Sequence, residues 1–125
     1  MRIWKKEISP TILSTNHIDT ATEHLGLEFL EVGDDFIRAR VPVDKRTRQP
    51  YGLLHGGVSV VLAETIGSCG AHYSCPPDHR AVGLDINANH LKSATSGWEQ
   101  AQHVLSTLVR AHKSGKSICI TMRVS

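Results

Sequence analysis

The stretch from Gln49 to Ser68, QPYGLLHGGVSVVLAETIGS, leaves this chain few folds to choose from. It opens with a Pro-Gly turn, passes through His55-Gly56-Gly57 and runs on as an apolar segment rich in small residues. Its length and its Gly, Ala and Ser content argue for a helix over about residues 55–73 and against a buried strand. Pro76-Pro77-Asp78 then stops it, because proline cannot continue a helix. Glu64 is the one carboxylate that this helix carries.

The flanking segments supply what such a helix needs for cover. Ser9-Pro10 reads as an N-cap and first helical turn, and Gly26 as the stop of a second short helix over 19–25. In LEFLEV (27–32) the alternation is imperfect, whereas Ile37, Ala39 and Val41 alternate cleanly with Phe36, Arg38 and Arg40. Gly33-Asp34-Asp35 between them is turn chemistry, so the pair is expected to form a hairpin. Residues 44–52, DKRTRQPYG, read as a loop. After the helix, Val82, Leu84, Ile86 and Ala88 alternate with Gly83, Asp85, Asn87 and Asn89, a long half-buried strand. Hairpin, apolar helix and strand make an α+β plan, with one helix packed on an antiparallel sheet in a single domain spanning 1–125.

Composition narrows the function classes. A net charge of +2 with scattered Lys and Arg gives no nucleic-acid footprint. No apolar run reaches the ~18 residues of a membrane span, and the amino terminus lacks a signal-peptide core. Three cysteines without framework spacing favour a reducing compartment, so a cytoplasmic location is expected.

Glu64 is the residue that needs explaining. At helical spacing its neighbours are Gly57, Val60, Val61, Gly67, Ser68 and Ala71, a face on which a ligand or another backbone approaches closely. Leu62 and Ile66 lie on the opposite side, facing the sheet. A carboxylate in such surroundings suits a general base if burial raises its pKa; the plain alternative is a helix-edge carboxylate facing water or paired with an arginine. At His55-Gly56-Gly57 the helix start offers unobstructed N–H groups and a partial positive charge, which suit a polarised carbonyl. On its own the same step is a weak signal, better read as a tight turn needing glycine. Gln49 adds a neutral donor six residues upstream. Cys69-x-x-His72-x-x-Cys75 has only three ligand-type residues straddling a helix end, so no metal is assigned. Ser114-Gly115-Lys116-Ser117 imitates a phosphate loop, but Arg110 stands where that loop needs glycine.

The run VPVDKRTRQPYGLLHGGVSVVLAETIGS followed by VGLDINANHLKSATSG resembles the hotdog-fold acyl-CoA thioesterases. The nearest subgroup comprises the 1,4-dihydroxy-2-naphthoyl-CoA hydrolases of menaquinone synthesis and the aryl-siderophore proofreading thioesterases. The resemblance covers residues 1–97. It implies a hotdog fold and hydrolysis of an aromatic or medium-chain acyl-CoA. It implies Glu64 as nucleophile or general base, and the Gly56 N–H polarising the carbonyl. Gln49 and His55 would assist at the carbonyl and the leaving thiolate, and Ser68 would place water across a subunit interface. His90, Lys92 and Ser93 would contact coenzyme A. The family pattern is a homodimer, usually paired into a tetramer, with no metal or organic cofactor.

After Gly97 the resemblance ends. Joining the third base of each codon to the first two of the next permits VGAGTARPLHLGKSTQIWEI, close to the strands the family would supply. Trp98-Glu99 can give only glycine at that step. The tail is therefore expected to be those strands read out of frame. As written, residues 98–112 fit either an amphipathic helix or a strand. Ile118, Ile120, Met122 and Val124 alternate as a strand, with a hairpin turn at 113–116. An inactive remnant and a non-catalytic acyl-CoA-binding module on the same fold are the alternatives to an active hydrolase.

Overall fold

In the computed structural model the described residues are 1–79, 81–89, 94–104, 108–112 and 117–124. Two short helices lead in: α1, Pro10–Asn16, capped by Ser9 Oγ accepting from Ile12 N–H, and α2, Ala21–His24, followed by Gly26 at φ +79°. Strands β1 (Glu28–Val32) and β2 (Phe36–Pro42) form the expected antiparallel hairpin. Its register slips between Phe29 and Glu31, a bulge that exposes Leu30 and accounts for the imperfect alternation of that segment.

The central helix, α3, spans Gly56–Ser74 with His55 as its N-cap, within one residue of its expected bounds. Strands β3 (Ala81–Asn89), β4 (Trp98–Val104), β5 (Leu108–His112) and β6 (Ser117–Val124) follow. The described strands make one six-stranded antiparallel sheet in the order β1-β2-β4-β5-β6-β3. Between the two readings left open for residues 98–112 the structure takes strand, as β4 and β5; the turn expected at 113–116 lies outside the described residues. A helix gripped by one antiparallel sheet is the hotdog arrangement.

The core lies between α3 and the sheet. Leu62 and Ile66 are 1% and 0% exposed and pack with Ile37, Ala39 and Val41 of β2 and Ala101 of β4. The amino terminus closes one end, with Trp4 buried and its Nε1–H donating to Gly33 O at 2.7 Å. Two residues depart from the expected pattern. Ile86, read as inward, is 38% exposed on β3, whose register slips between Gly83 and Asp85. Glu99 is 1% exposed, on the inner face of β4 opposite Val41.

Candidate active site

His55 closes the entry to α3. Its backbone is extended (φ −62°, ψ 127°), and its Nδ1 accepts from the Gly57 N–H at 2.9 Å. The ring thus does what a Ser or Asp oxygen does at most helix starts. A nitrogen that accepts a hydrogen bond carries no proton, so the neutral imidazole holds its proton on Nε2. His55 is exposed, which makes that Nε2–H a donor available to a ligand.

The two glycines have separate tasks. The Gly57 amide is occupied by His55, and a Cβ at Gly57 would lie 3.0 Å from the ring Nδ1 and Cε1. The Gly56 N–H has no acceptor among the described residues and points out of the first turn, as N1 amides do. Gly57→Ala would ordinarily gain up to ~1 kcal/mol in helix propensity. Here the crowded ring is expected to leave the helix end, losing a cap of similar size. Thermal unfolding should therefore show no gain in Tm, with mixed tautomers at His55 in histidine-ring NMR; a higher Tm with the ring unmoved would refute the close fit.

Gln49 is brought to the same end of the helix by a small closed loop. His55 N–H donates to Thr47 O at 2.8 Å, Arg48 bridges Leu54, and Gln49 N–H donates to Leu53 O at 2.7 Å. Gly52, at φ +82°, turns the chain back and donates to Gln49 O at 2.9 Å. Gln49 Oε1 accepts from the Tyr51 N–H, so the group Gln49 offers a ligand is its Nε2 donor. At the base of the loop Asp44 Oδ1 accepts from Arg46 N–H at 2.9 Å, and its carboxylate meets the Arg46 guanidinium at 2.6 Å. Hydrogen bonding to Arg46 holds the Asp44 carboxyl below its ordinary range. The Leu54 N–H donates to Ala94 O at 2.8 Å, fixing the loop to the segment that follows β3.

Glu64 is half-buried on the outward face of α3, beside Val60, Val61, Ser68 and Ala71, while Gly67 of the expected set is buried. Among the described residues no arginine or other group takes up its carboxylate. Ser68, also half-buried, lies one turn further on. The structure therefore brings Gln49, His55 and Gly56 to one end of α3, and sets Glu64 and Ser68 further along the same helix. His90, Lys92 and Ser93 lie outside the described residues.

The other ligand-type residues disperse. Cys69 faces the core, where burial pushes its thiol up to about 12. Cys75 Sγ donates toward His72 O at 3.1 Å, and Lys6 Nζ donates to that same carbonyl at 2.9 Å, tying the amino terminus to the end of α3. No group of three or more metal-ligating side chains occurs among the described residues. Nor is any described helix long and apolar enough to cross a membrane. Thr47, which anchors the Gln49–His55 loop, was not singled out from sequence; its one signal was the Asp44-x-x-Thr47 spacing of a side-chain-closed turn.

The described site thus has an open amide at the start of a sheet-gripped helix and a carboxylate further along it. Residues 51–102 match the family described as Thioesterase superfamily. The 1,4-dihydroxy-2-naphthoyl-CoA hydrolase of Escherichia coli is 46% identical over 95 residues, covering 76% of this chain and 70% of that protein. The proofreading thioesterase EntH of Cronobacter turicensis is 42% identical over 95 residues, covering 76% of this chain and 69% of that one. The crystal structure of a thioesterase from Haemophilus influenzae superposes with a TM-score of 0.87 at 38% identity, over 98% of this chain and 94% of that one. The chain belongs to the thioesterase superfamily, a class of thioester-hydrolysing enzymes.

Proposed function

We propose that this chain hydrolyses an acyl-CoA thioester, with an aromatic or medium-chain acyl group, as a homodimer whose sites combine both subunits. The observation that carries this is the half-buried Glu64 carboxylate, which no described group neutralises, on the same helix as the open Gly56 amide. Eight residues of helix separate them by about 12 Å, whereas reacting atoms must approach to about 3–3.5 Å. One chain therefore cannot present both groups to one carbonyl. Two copies related by a two-fold axis, with their α3 helices antiparallel, can set Gly56, Gln49 and His55 of one against Glu64 and Ser68 of the other. The outer edge of β3 supports such pairing, since it lies at the end of the sheet with Ile86 exposed.

In this site the carbonyl oxygen accepts from the Gly56 N–H and Gln49 Nε2, which stabilise the negative charge that develops on it. Glu64 removes a proton from water as it attacks, or attacks directly and is released by water in a second step. Ser68 orients the water. The carbon–sulfur bond breaks, the departing coenzyme A thiolate lies within reach of the His55 Nε2–H, and the products are the acid and free coenzyme A. His90, Lys92 and Ser93 are proposed to hold the coenzyme A portion. Kinship with the Escherichia coli hydrolase makes 1,4-dihydroxy-2-naphthoyl-CoA, and with it a cytoplasmic role in menaquinone synthesis, the first substrate to try. Pairing of dimers into a tetramer is part of the same proposal.

The test is release of free thiol from benzoyl-, naphthoyl- and medium-chain acyl-CoA. In a mixture of Gln49→Ala and Glu64→Ala chains, half of the mixed dimers' sites are intact, so activity should reappear where each variant alone is nearly inactive. Absence of that rescue, with the single variants still dimeric, would rule out the shared site.

Glu99 favours a second reading, in which the chain is a weakened remnant of such an enzyme. A carboxylate at 1% exposure on a central strand is foreign to a core position, as expected of a segment read out of frame.

A further inference from the structure

We infer that Thr47 is a positioning residue that holds the Gln49 donor and the His55–Gly56 helix start in fixed relation; this rests on reading those residues as the carbonyl-facing half of the site. Thr47 is 1% exposed, although its neighbours Lys45, Arg46 and Arg48 are all exposed. Its hydroxyl donates to Pro42 O at 2.6 Å, with Asp44 O also near at 3.2 Å, and accepts from Asp44 N–H at 3.0 Å. Its N–H donates to Asp44 O at 3.0 Å, and its carbonyl accepts from His55 N–H at 2.8 Å.

These bonds run in two directions. The hydroxyl fastens the residue to the last position of β2, a strand whose inward side chains are in the core. The carbonyl holds the N-cap backbone, from which the imidazole reaches Gly57 and leaves the Gly56 amide open. From the same residue the loop pairing continues through Arg48–Leu54 to Gln49–Leu53, so the place of Gln49 relative to His55 is counted from Thr47. Movement at Thr47 displaces both donors at once, and a misplacement of about 1 Å at a reacting centre can cost about 10²-fold in rate.

Thr47→Val keeps the side-chain shape and removes the hydroxyl; Thr47→Ser keeps the hydroxyl. In wild type and Thr47→Ser, histidine-ring ¹H–¹⁵N spectra should show His55 as a single Nε2–H tautomer with the Gly57 amide in its hydrogen-bonded position. In Thr47→Val the tautomers should mix and the Gly57 amide should shift, while the Leu62 and Ile66 amides stay in place. Where thiol release is measurable, kcat should fall about 10²-fold in Thr47→Val with KM nearly unchanged, and recover in Thr47→Ser. An unchanged His55 tautomer in Thr47→Val overturns the inference. So does a general shift that includes Leu62 and Ile66, which would mark a merely structural role. If Thr47→Val does not fold, Thr47→Ser still decides, since loss of the tautomer with the hydroxyl present is incompatible with the role proposed. A wild-type chain that releases no thiol defeats the hydrolase reading alone, because the tautomer is read without turnover.

Discussion

Replacing Glu64 with alanine is expected to lower the rate of thiol release by about 10²–10⁴-fold, the range that a positioned general base contributes. Stability should hardly change. The carboxylate is half-buried and no described group pairs with it, so its loss breaks no ion pair, and alanine is the better helix former. That combination separates a chemical role from a structural one, because a residue needed for folding would lower activity and Tm together. Glu64→Gln preserves the shape while removing the charge and should be nearly as slow. Steady-state kinetics on an acyl-CoA, with thermal unfolding of the same preparations, makes the measurement. A kcat within a few-fold of wild type in either variant would show that the carboxylate does not take part.

The second large effect concerns the tail. Strand β4 lies between β2 and β5, and its inner positions Glu99 and Ala101 pair with Val41 and Ala39. A carboxylate there costs several kcal/mol in desolvation that its partners must offset. The shifted reading replaces this segment with VGAGTARPL, which carries no carboxylate. A chain carrying the shifted sequence after Gly97 should therefore be more stable by about 3 kcal/mol, which for a domain of this size raises Tm by roughly 10 °C. On the shared-site proposal, thiol release should rise with it. Equal melting temperatures for the two chains would remove the out-of-frame account, as would internal stop codons in the shifted frame of the coding DNA.

What the sequence made legible follows from where its strongest local signals lie. The bounds of α3 could be read closely because a histidine-glycine step opens it and two prolines close it, and these act on the backbone alone. The β1–β2 hairpin was visible for similar reasons, but the bulge at Leu30 was not, because an extra residue in a strand leaves no distinct composition. The strand nature of 98–112 was undecided because its apolar residues satisfy both periods; pairing with β2 decides it. Gln49, His55, Gly56 and Glu64 could be singled out in the sequence as candidates, but the loop bonding that seats Gln49 near the helix start could not be read there. Gln49 and His55 are joined by backbone bonds that carry no sequence mark, and Thr47, in a run of charged residues, looks like one more solvated loop position.

The rigid span of α3 between Gly56 and Glu64 has one more consequence on the dimer reading. The helix acts as a ruler. An oxyanion donor and a base carried on one rod serve different sites, so its length sets the gap in both sites simultaneously. Inserting a single residue between them would turn the carboxylate by about 100° and move it 1.5 Å, disabling two sites with one change. Side chains along that span are free to vary within their packing, but their number is not.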